Sequence, residues 1–186
     1  MKAVITALIL LVILFFSCND PNEKKEIEVR QSFELNTSAK QKKLANDFLD
    51  GKIKFGENFE GINGGFYCLW KRKSEDISPH FALNDMFINE HYKITTKKDS
   101  LEYIVISENI SHKIGTYTNG GDASKMETII SVIDVKKGLA YIVDKEMGSD
   151  PPTSILTRAG NNSGSIGSVF SDKDIFDFLK KNVIKK

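Results

Sequence analysis

Beyond residue 18, the sequence has four cysteine and histidine side chains that could bind a transition metal: Cys68, His80, His91 and His112. None of them stands in a His-x-x-x-His, His-Glu-x-x-His or Cys-x-x-Cys pattern, the spacings that bring two ligands together on one helix or turn. The spacing therefore predicts no metal site and no cofactor. Only the convergence of distant ligands in the folded chain would form one.

The usual signatures of nucleophilic and phosphate chemistry are also missing. Ser163, Ser165 and Ser168 lie in a glycine-rich stretch, but none has the flanking glycines of Gly-x-Ser-x-Gly. The same stretch has neither the P-loop pattern nor Gly-x-Gly-x-x-Gly, so nucleotide binding is not indicated. An enzyme would have to assemble its site from separated side chains. A hydrolase in the region 56–91 would draw on Glu57, Asp76, His80, Asp85 and His91, and Glu60 and Glu90 are further candidates for a carboxylate pair.

An aromatic run offers the best candidates for ligand binding. Phe59–Trp70 is rich in glycine and aromatic residues, and Tyr67 and Trp70 combine a large apolar ring with a polar atom. With His80 and His91 from the following segment, they form the predicted ligand-binding set. Cys68 lies inside the same run, where we expect a buried and unreactive thiol.

The N-terminal residues have the order of a secretory signal. Lys2 supplies a positive charge, Ala3–Phe16 is an uncharged apolar run, and Ser17 is small. As a helix, the apolar run would rise only about 21 Å, which is short of the roughly 30 Å hydrocarbon core of a bilayer. A permanent membrane span is therefore the weaker interpretation.

Phe15-Phe16-Ser17-Cys18 resembles a bacterial lipobox. The resemblance implies that residues 1–17 are removed as a signal peptide, that Cys18 is lipidated, and that the protein is held at the bacterial cell envelope, facing the periplasm or the exterior. Residues 18–32 are then the lipidated cysteine and a charged tether, and residues 33–186 form one globular domain. The membrane, reached through the lipid, is one expected partner.

Charge gives no support for nucleic acid as a partner. The chain has 26 basic and 25 acidic residues, and Lys2 is the only charged residue of Met1–Ser17, so the mature chain has a formal net charge of zero. Proteins that bind nucleic acid usually carry a clustered basic excess, whereas both signs are interspersed here.

The hydrophobic pattern predicts an α+β domain. Thr37 or Ser38 can cap an N-terminal helix that places Leu44 and Phe48 on one face, and Ser171 can cap a C-terminal amphipathic helix. Phe81–Ile88 is either a short helix or a packed loop, Pro151-Pro152 should end the sheet, and residues 160–168 should form a surface loop. Strands are predicted at Phe66–Lys71, Leu101–Ser107, Ile110–Thr118, Glu127–Val135 and Gly138–Asp144. We therefore expect a mostly antiparallel sheet of about five strands with the two helices packed on it.

Gly115-Thr116-Tyr117, Gly120-Gly121, Val132-Ile133-Asp134 and Pro151-Pro152, followed by a closing helix, are similar to a pattern found in uncharacterised extracytoplasmic bacterial domains. No activity comes with that resemblance. We interpret the protein as a membrane-tethered, non-enzymatic binding module with an envelope protein as a second expected partner. The alternatives are an immunity-type lipoprotein that captures an envelope-directed toxin, and an envelope hydrolase with a site in residues 56–91.

Overall fold

The computed structural model describes residues 39–72, 76–155 and 163–185 of the chain. Its helices are α1 (Ala39–Leu49), α2 (Phe81–Asn89) and α3 (Asp172–Phe178), and α3 continues as a π-helix over Leu179–Val183. Its strands are β1 (Lys54–Phe55), β2 (Gly65–Arg72), β3 (Asp76–Pro79), β4 (Leu101–Thr116), β5 (Asp122–Asp134), β6 (Leu139–Met147) and β7 (Ser165–Ile166). The predicted signal peptide, Cys18, the tether and the capping residues Thr37 and Ser38 lie outside the described residues.

The α+β class is confirmed, but the prediction of a mostly antiparallel sheet is wrong. The described strands form a mixed seven-stranded sheet in the order β1-β6-β5-β4-β2-β3, with β7 added beside β5. The pairs β1–β6, β2–β4 and β5–β7 are parallel, whereas β2–β3, β4–β5 and β5–β6 are antiparallel. The central parallel pair exists because β3 and α2 carry the chain back to the start of β2 before β4 begins.

Strand β4 also differs from the prediction, because the two predicted strands Leu101–Ser107 and Ile110–Thr118 are replaced by one continuous strand that ends at Thr116. Its pairing with β5 runs from Tyr103–Asp134 to Thr116–Asp122. Beyond Glu108 the strand has no β2 partner, so β4 and β5 extend past the body of the sheet as a long hairpin. The glycine-serine stretch was predicted as a loop, yet Ser165–Ile166 pairs with β5 after the Pro-Pro segment.

Both faces of the sheet are covered, as the apolar residues on both sides of its strands predict. Helix α1 buries Leu44 against one face. Helices α2 and α3 cover the other face with Leu83, Phe87, Ile175 and Leu179. Phe66 and Cys68 of β2 face α2 and α3, whereas Tyr67 and Leu69 face α1. The predicted burial of Cys68 is confirmed, and burial raises the pKa of its thiol.

The outer edge of β2 is closed by three different elements. Strand β3 pairs with Leu69–Arg72, and backbone bonds to Lys93 and Thr95 pair with Phe66. Between them, the Asn84 side chain of α2 accepts a hydrogen bond from Cys68 N and donates one to Cys68 O, both at 2.9 Å. This amide replaces the missing strand residue, so no backbone group of Cys68 is left unpaired in the interior.

The C-terminal helix begins as predicted. Ser171 accepts a hydrogen bond from Asp174 N at 3.2 Å, and Asp174 Oδ2 accepts from Ser171 N at 3.0 Å, which is a capping box. Helix α2 settles the open prediction for Phe81–Ile88 in favour of a helix. Among the described helices, none is both long enough and apolar enough to cross a bilayer.

Candidate functional site

Trp70 and His80, two of the predicted ligand-binding residues, lie in contact. The four-residue strand β3 runs antiparallel to β2 and returns the chain so that His80 lies next to β2. Its backbone N donates to Cys68 O at 3.0 Å, and its ring stacks on Trp70 with 4.9 Å between the ring centroids. His80 is only 3% exposed, so this histidine belongs to the interior, whereas Trp70 is partly exposed.

The His80 ring also reaches α3. Its Nε2 lies 3.5 Å from Asp172 Oδ1, in the first turn of that helix. Desolvation by burial lowers the pKa of His80, and the carboxylate of Asp172 acts in the opposite direction. The imidazole therefore stands at the junction of β2, α2 and α3.

Two buried hydroxyl groups flank Trp70 on the same face of the sheet. Ser78 of β3 and Ser107 of β4 are its direct cross-strand neighbours. Both side chains are almost fully buried, and among the described residues neither Oγ has a hydrogen-bond partner. The surroundings of the Trp70–His80 pair are therefore polar, although they lie inside the fold.

The other two predicted residues lie elsewhere. Tyr67 faces α1 and borders a cavity of about 220 Å³ with Asn84, Asp85 and Ile88, and burial raises the pKa of its phenol. His91 is exposed just beyond α2, with a backbone φ of 62°. The structure thus brings together Trp70 and His80 but not Tyr67 and His91.

The acidic side chains proposed for a hydrolase are also apart. Glu57 borders a groove beside β6, Asp85 borders the cavity near Tyr67, and His80 is buried against Trp70. The side chain of Asp76 lies outside the described residues. Across the described ranges no group of three or more His, Cys, Asp and Glu residues could hold a metal ion. Glu57, Asp85 and His80 therefore lie in three different parts of the described structure.

A different surface, which the sequence analysis missed, is open at the other edge of the sheet. On the outer side of β6, β1 pairs only with Leu139 and Ala140, and no other described strand pairs with Tyr141–Met147. Ile142 is 46% exposed on this edge. Beside it lies a groove of about 310 Å³, here called the β6 edge groove, lined by Glu57, Phe59, Tyr141, Ile142, Val143, Phe178, Asn182 and Val183.

Aromatic contacts give the β6 edge groove its shape. The ring of Phe59 packs on Tyr141 with 5.0 Å between centroids and meets the edge of Tyr103 at 6.2 Å. A β-carbon on Gly56 would lie 2.3 Å from the Tyr141 ring, so only glycine lets the chain leave β1 this close to Tyr141. Glu57 and Asn182 are exposed and add polar atoms to the aromatic and aliphatic side chains of the groove. Within the described residues, the β6 edge groove combines a strand edge that has no strand partner beyond Ala140 with a depression of mixed polar and apolar lining. An extended peptide could pair with such an edge.

No protein-family model matches this chain, and no curated protein matches it either.

Proposed function

We propose that the protein is a lipid-anchored binding module of the bacterial envelope that holds a partner protein at the β6 edge groove. The anchor rests on the lipobox-like Phe15-Phe16-Ser17-Cys18. The binding role rests chiefly on one observation, which is that β1 covers only the first two residues of β6. An immunity-type role is one case of this proposal, in which the partner is a toxin.

An open strand edge presents backbone N–H and C=O groups that an extended segment of another chain can pair. On the other side of the sheet, the outer side of β2 is covered down to single residues, with Asn84 supplying the hydrogen bonds at Cys68. The outer side of β6 has no such cover among the described residues, and it adjoins a groove lined by Phe59, Tyr141 and Val143 together with polar atoms. Side chains of an added strand alternate in direction, so every second residue would point into the groove. We therefore expect a partner segment that is extended and has apolar residues at alternate positions.

A cross-link placed at Ile142 tests the partner site. A photoreactive residue at position 142 of the full chain, expressed in the producing bacterium, should give a discrete protein adduct. The same residue at Ile166, an exposed strand isoleucine away from the groove, is the matched control. The captured partner, once purified, should bind Ile142→Lys at least tenfold more weakly than wild type because a charge enters the apolar contact. Equal adducts from both positions, or unchanged affinity of Ile142→Lys, would contradict the proposed site.

The anchor is tested separately by intact mass of the membrane fraction. Wild type should have a mass that begins at Cys18 and includes a diacylglyceryl or triacyl group. Cys18→Ala should lack the lipid and remain unprocessed or leave the membrane fraction. If wild type retains residues 1–17 without modification, the N-terminal segment is an uncleaved anchor and the lipoprotein interpretation is wrong.

A further inference from the structure

We propose that the turn between β4 and β5 carries a binding site for a neutral saccharide. The site is a cavity of about 320 Å³, here called the hydroxyl cup. It lies at the far end of the long hairpin and is built from the turn and from the segment after Pro152. The proposal does not depend on the β6 edge groove, because the two surfaces share no residue.

The described lining of the hydroxyl cup consists mainly of hydroxyl, amide and aromatic groups, and Ile155 adds an aliphatic side chain. Four exposed alcohols line it: Thr116, Thr118, Thr153 and Ser154. Each of these hydroxyls can donate and accept a hydrogen bond, and so can each hydroxyl of a sugar. Either partner can therefore be the donor. Tyr117 adds a half-buried ring, whose apolar surface suits the C–H face of a pyranose.

Hydrogen bonds hold together the backbone segments that form the hydroxyl cup. Tyr117 Oη donates to Pro152 O at 2.5 Å, which joins the turn to the Pro-Pro segment. Asn119 Nδ2 donates to Ser163 O at 3.2 Å, while Asn119 Oδ1 accepts from Gly121 N at 3.0 Å. A β-carbon on Gly121 would lie 2.1 Å from Ser163 O, so glycine is required for this approach. A site held in place before binding loses less entropy when the ligand arrives.

The uncharged side chains of the described lining favour a neutral ligand. More than a quarter of the chain is charged, 27%, but none of the described residues that line the hydroxyl cup carries a charge. On the hairpin, Lys113 pairs with Asp122 at 2.5 Å, and Lys125 pairs with Asp150, which precedes the Pro-Pro segment, at 2.8 Å. A phosphate, a carboxylate or a metal ion would therefore lose its hydration without gaining a counter-charge. A neutral ligand rich in hydroxyls avoids that cost.

Saturation-transfer NMR on the full chain tests the site with glucose, galactose, mannose and N-acetylglucosamine as probes and glucose 6-phosphate as the charged comparison. We expect transfer to at least one neutral sugar and none to the phosphate. The double variant Thr118→Val/Ser154→Ala keeps the side-chain volumes and should weaken that binding at least tenfold. Ser111→Ala, an exposed hydroxyl on the same hairpin but outside the hydroxyl cup, should leave it unchanged.

Two results would overturn the proposal. One is the absence of transfer to all four neutral sugars in a sample shown by circular dichroism to be folded. The other is equal sugar binding by the double variant and wild type, which would place the sugar elsewhere on the molecule. Neither result would affect the cross-linking test at Ile142, so the proposed partner site and the hydroxyl cup stand or fall separately.

Discussion

Replacing Asn84 with aspartate is expected to lower the free energy of unfolding by about 3 kcal/mol. Asn84 is 4% exposed, and its side-chain amide hydrogen-bonds to both backbone groups of Cys68 on the outer side of β2. A carboxylate can still accept from Cys68 N, but it cannot donate to Cys68 O, and it places a buried negative charge against that carbonyl. The loss should appear as a drop in Tm of several degrees, at about 2–4 °C per kcal/mol for a domain of this size.

The matched control is Asn46→Asp on α1, which makes the same chemical change at an exposed helix position. It should alter the unfolding free energy by less than about 0.5 kcal/mol. Asn84→Ala separates charge from hydrogen bonding, because it leaves Cys68 N unpaired without adding a charge, while Cys68 O keeps its bond from His80 N. Urea unfolding of wild type and the three variants measures these differences in unfolding free energy. If Asn84→Asp and Asn46→Asp have the same stability, the side-chain bridge does not stabilise the edge.

Acidification is expected to destabilise the protein through His80. Burial holds the pKa of His80 below the unfolded value of 6.5, although Asp172 partly opposes that shift. The unfolded chain therefore binds more protons than the native state at pH values between the folded pKa and 6.5. Stability is retained above the unfolded pKa and is lost as the pH falls through that window, with a maximum slope of about 1.4 kcal/mol per pH unit for one proton.

Comparing wild type with His80→Gln separates the contribution of His80 to the pH dependence of stability from the contribution of the carboxylates, which protonate at lower pH. Urea unfolding between about pH 5 and 7.5 should show that the stability difference between wild type and His80→Gln shrinks towards acid. His91→Asn removes an exposed histidine just beyond the same helix, and its difference from wild type should not follow this trend. The NMR resonances of the His80 ring should titrate with a midpoint below 6.5. A midpoint above 6.5 would mean that Asp172 outweighs burial.

Features that depend on near neighbours in sequence were predictable. The Ser171 capping box needs only Ser171 and Asp174, three residues apart, and both hydrogen bonds form. The apolar residues on both sides of β4 indicated a covered strand, and the helices on the two faces confirm it. The hairpin of β5 and β6 follows from the short turn that ends at Gly138, whose φ of 69° suits glycine.

Features that depend on distant partners were not predictable. The sequence of β2 does not reveal that its inner neighbour is β4 or that the two run parallel, because that depends on how β3 and α2 return the chain. Strict alternation along β4 would place Leu101 on the same face as Val105, but it packs on the other side of the sheet. The register shift between Gly65 and Phe66 leaves Glu102 as an extra residue in β4 and reverses the alternation there.

The candidate sites were predictable only in part. Trp70 and His80 were selected for their side-chain chemistry, and their contact arises from the return of the chain by β3. The open edge of β6 has no periodic signal, because the alternation along a strand shows which of its faces is covered and not how many strands it pairs with. The two-residue strands β1 and β7 are too short for any periodicity to identify them.

The parallel pairing of β2 with β4 has a consequence for the order in which the molecule folds. Strands β4, β5 and β6 follow one another along the chain and can form by short turns, whereas Phe66 must find Tyr103 across the whole of β3 and α2. Closing that large loop costs conformational entropy before any contact compensates for it. We expect the three-stranded meander to form early and β2 to dock late, on the millisecond-to-second scale of folds rich in non-local contacts. Pulsed hydrogen exchange should protect the amides of Val132 and Tyr141 before that of Cys68.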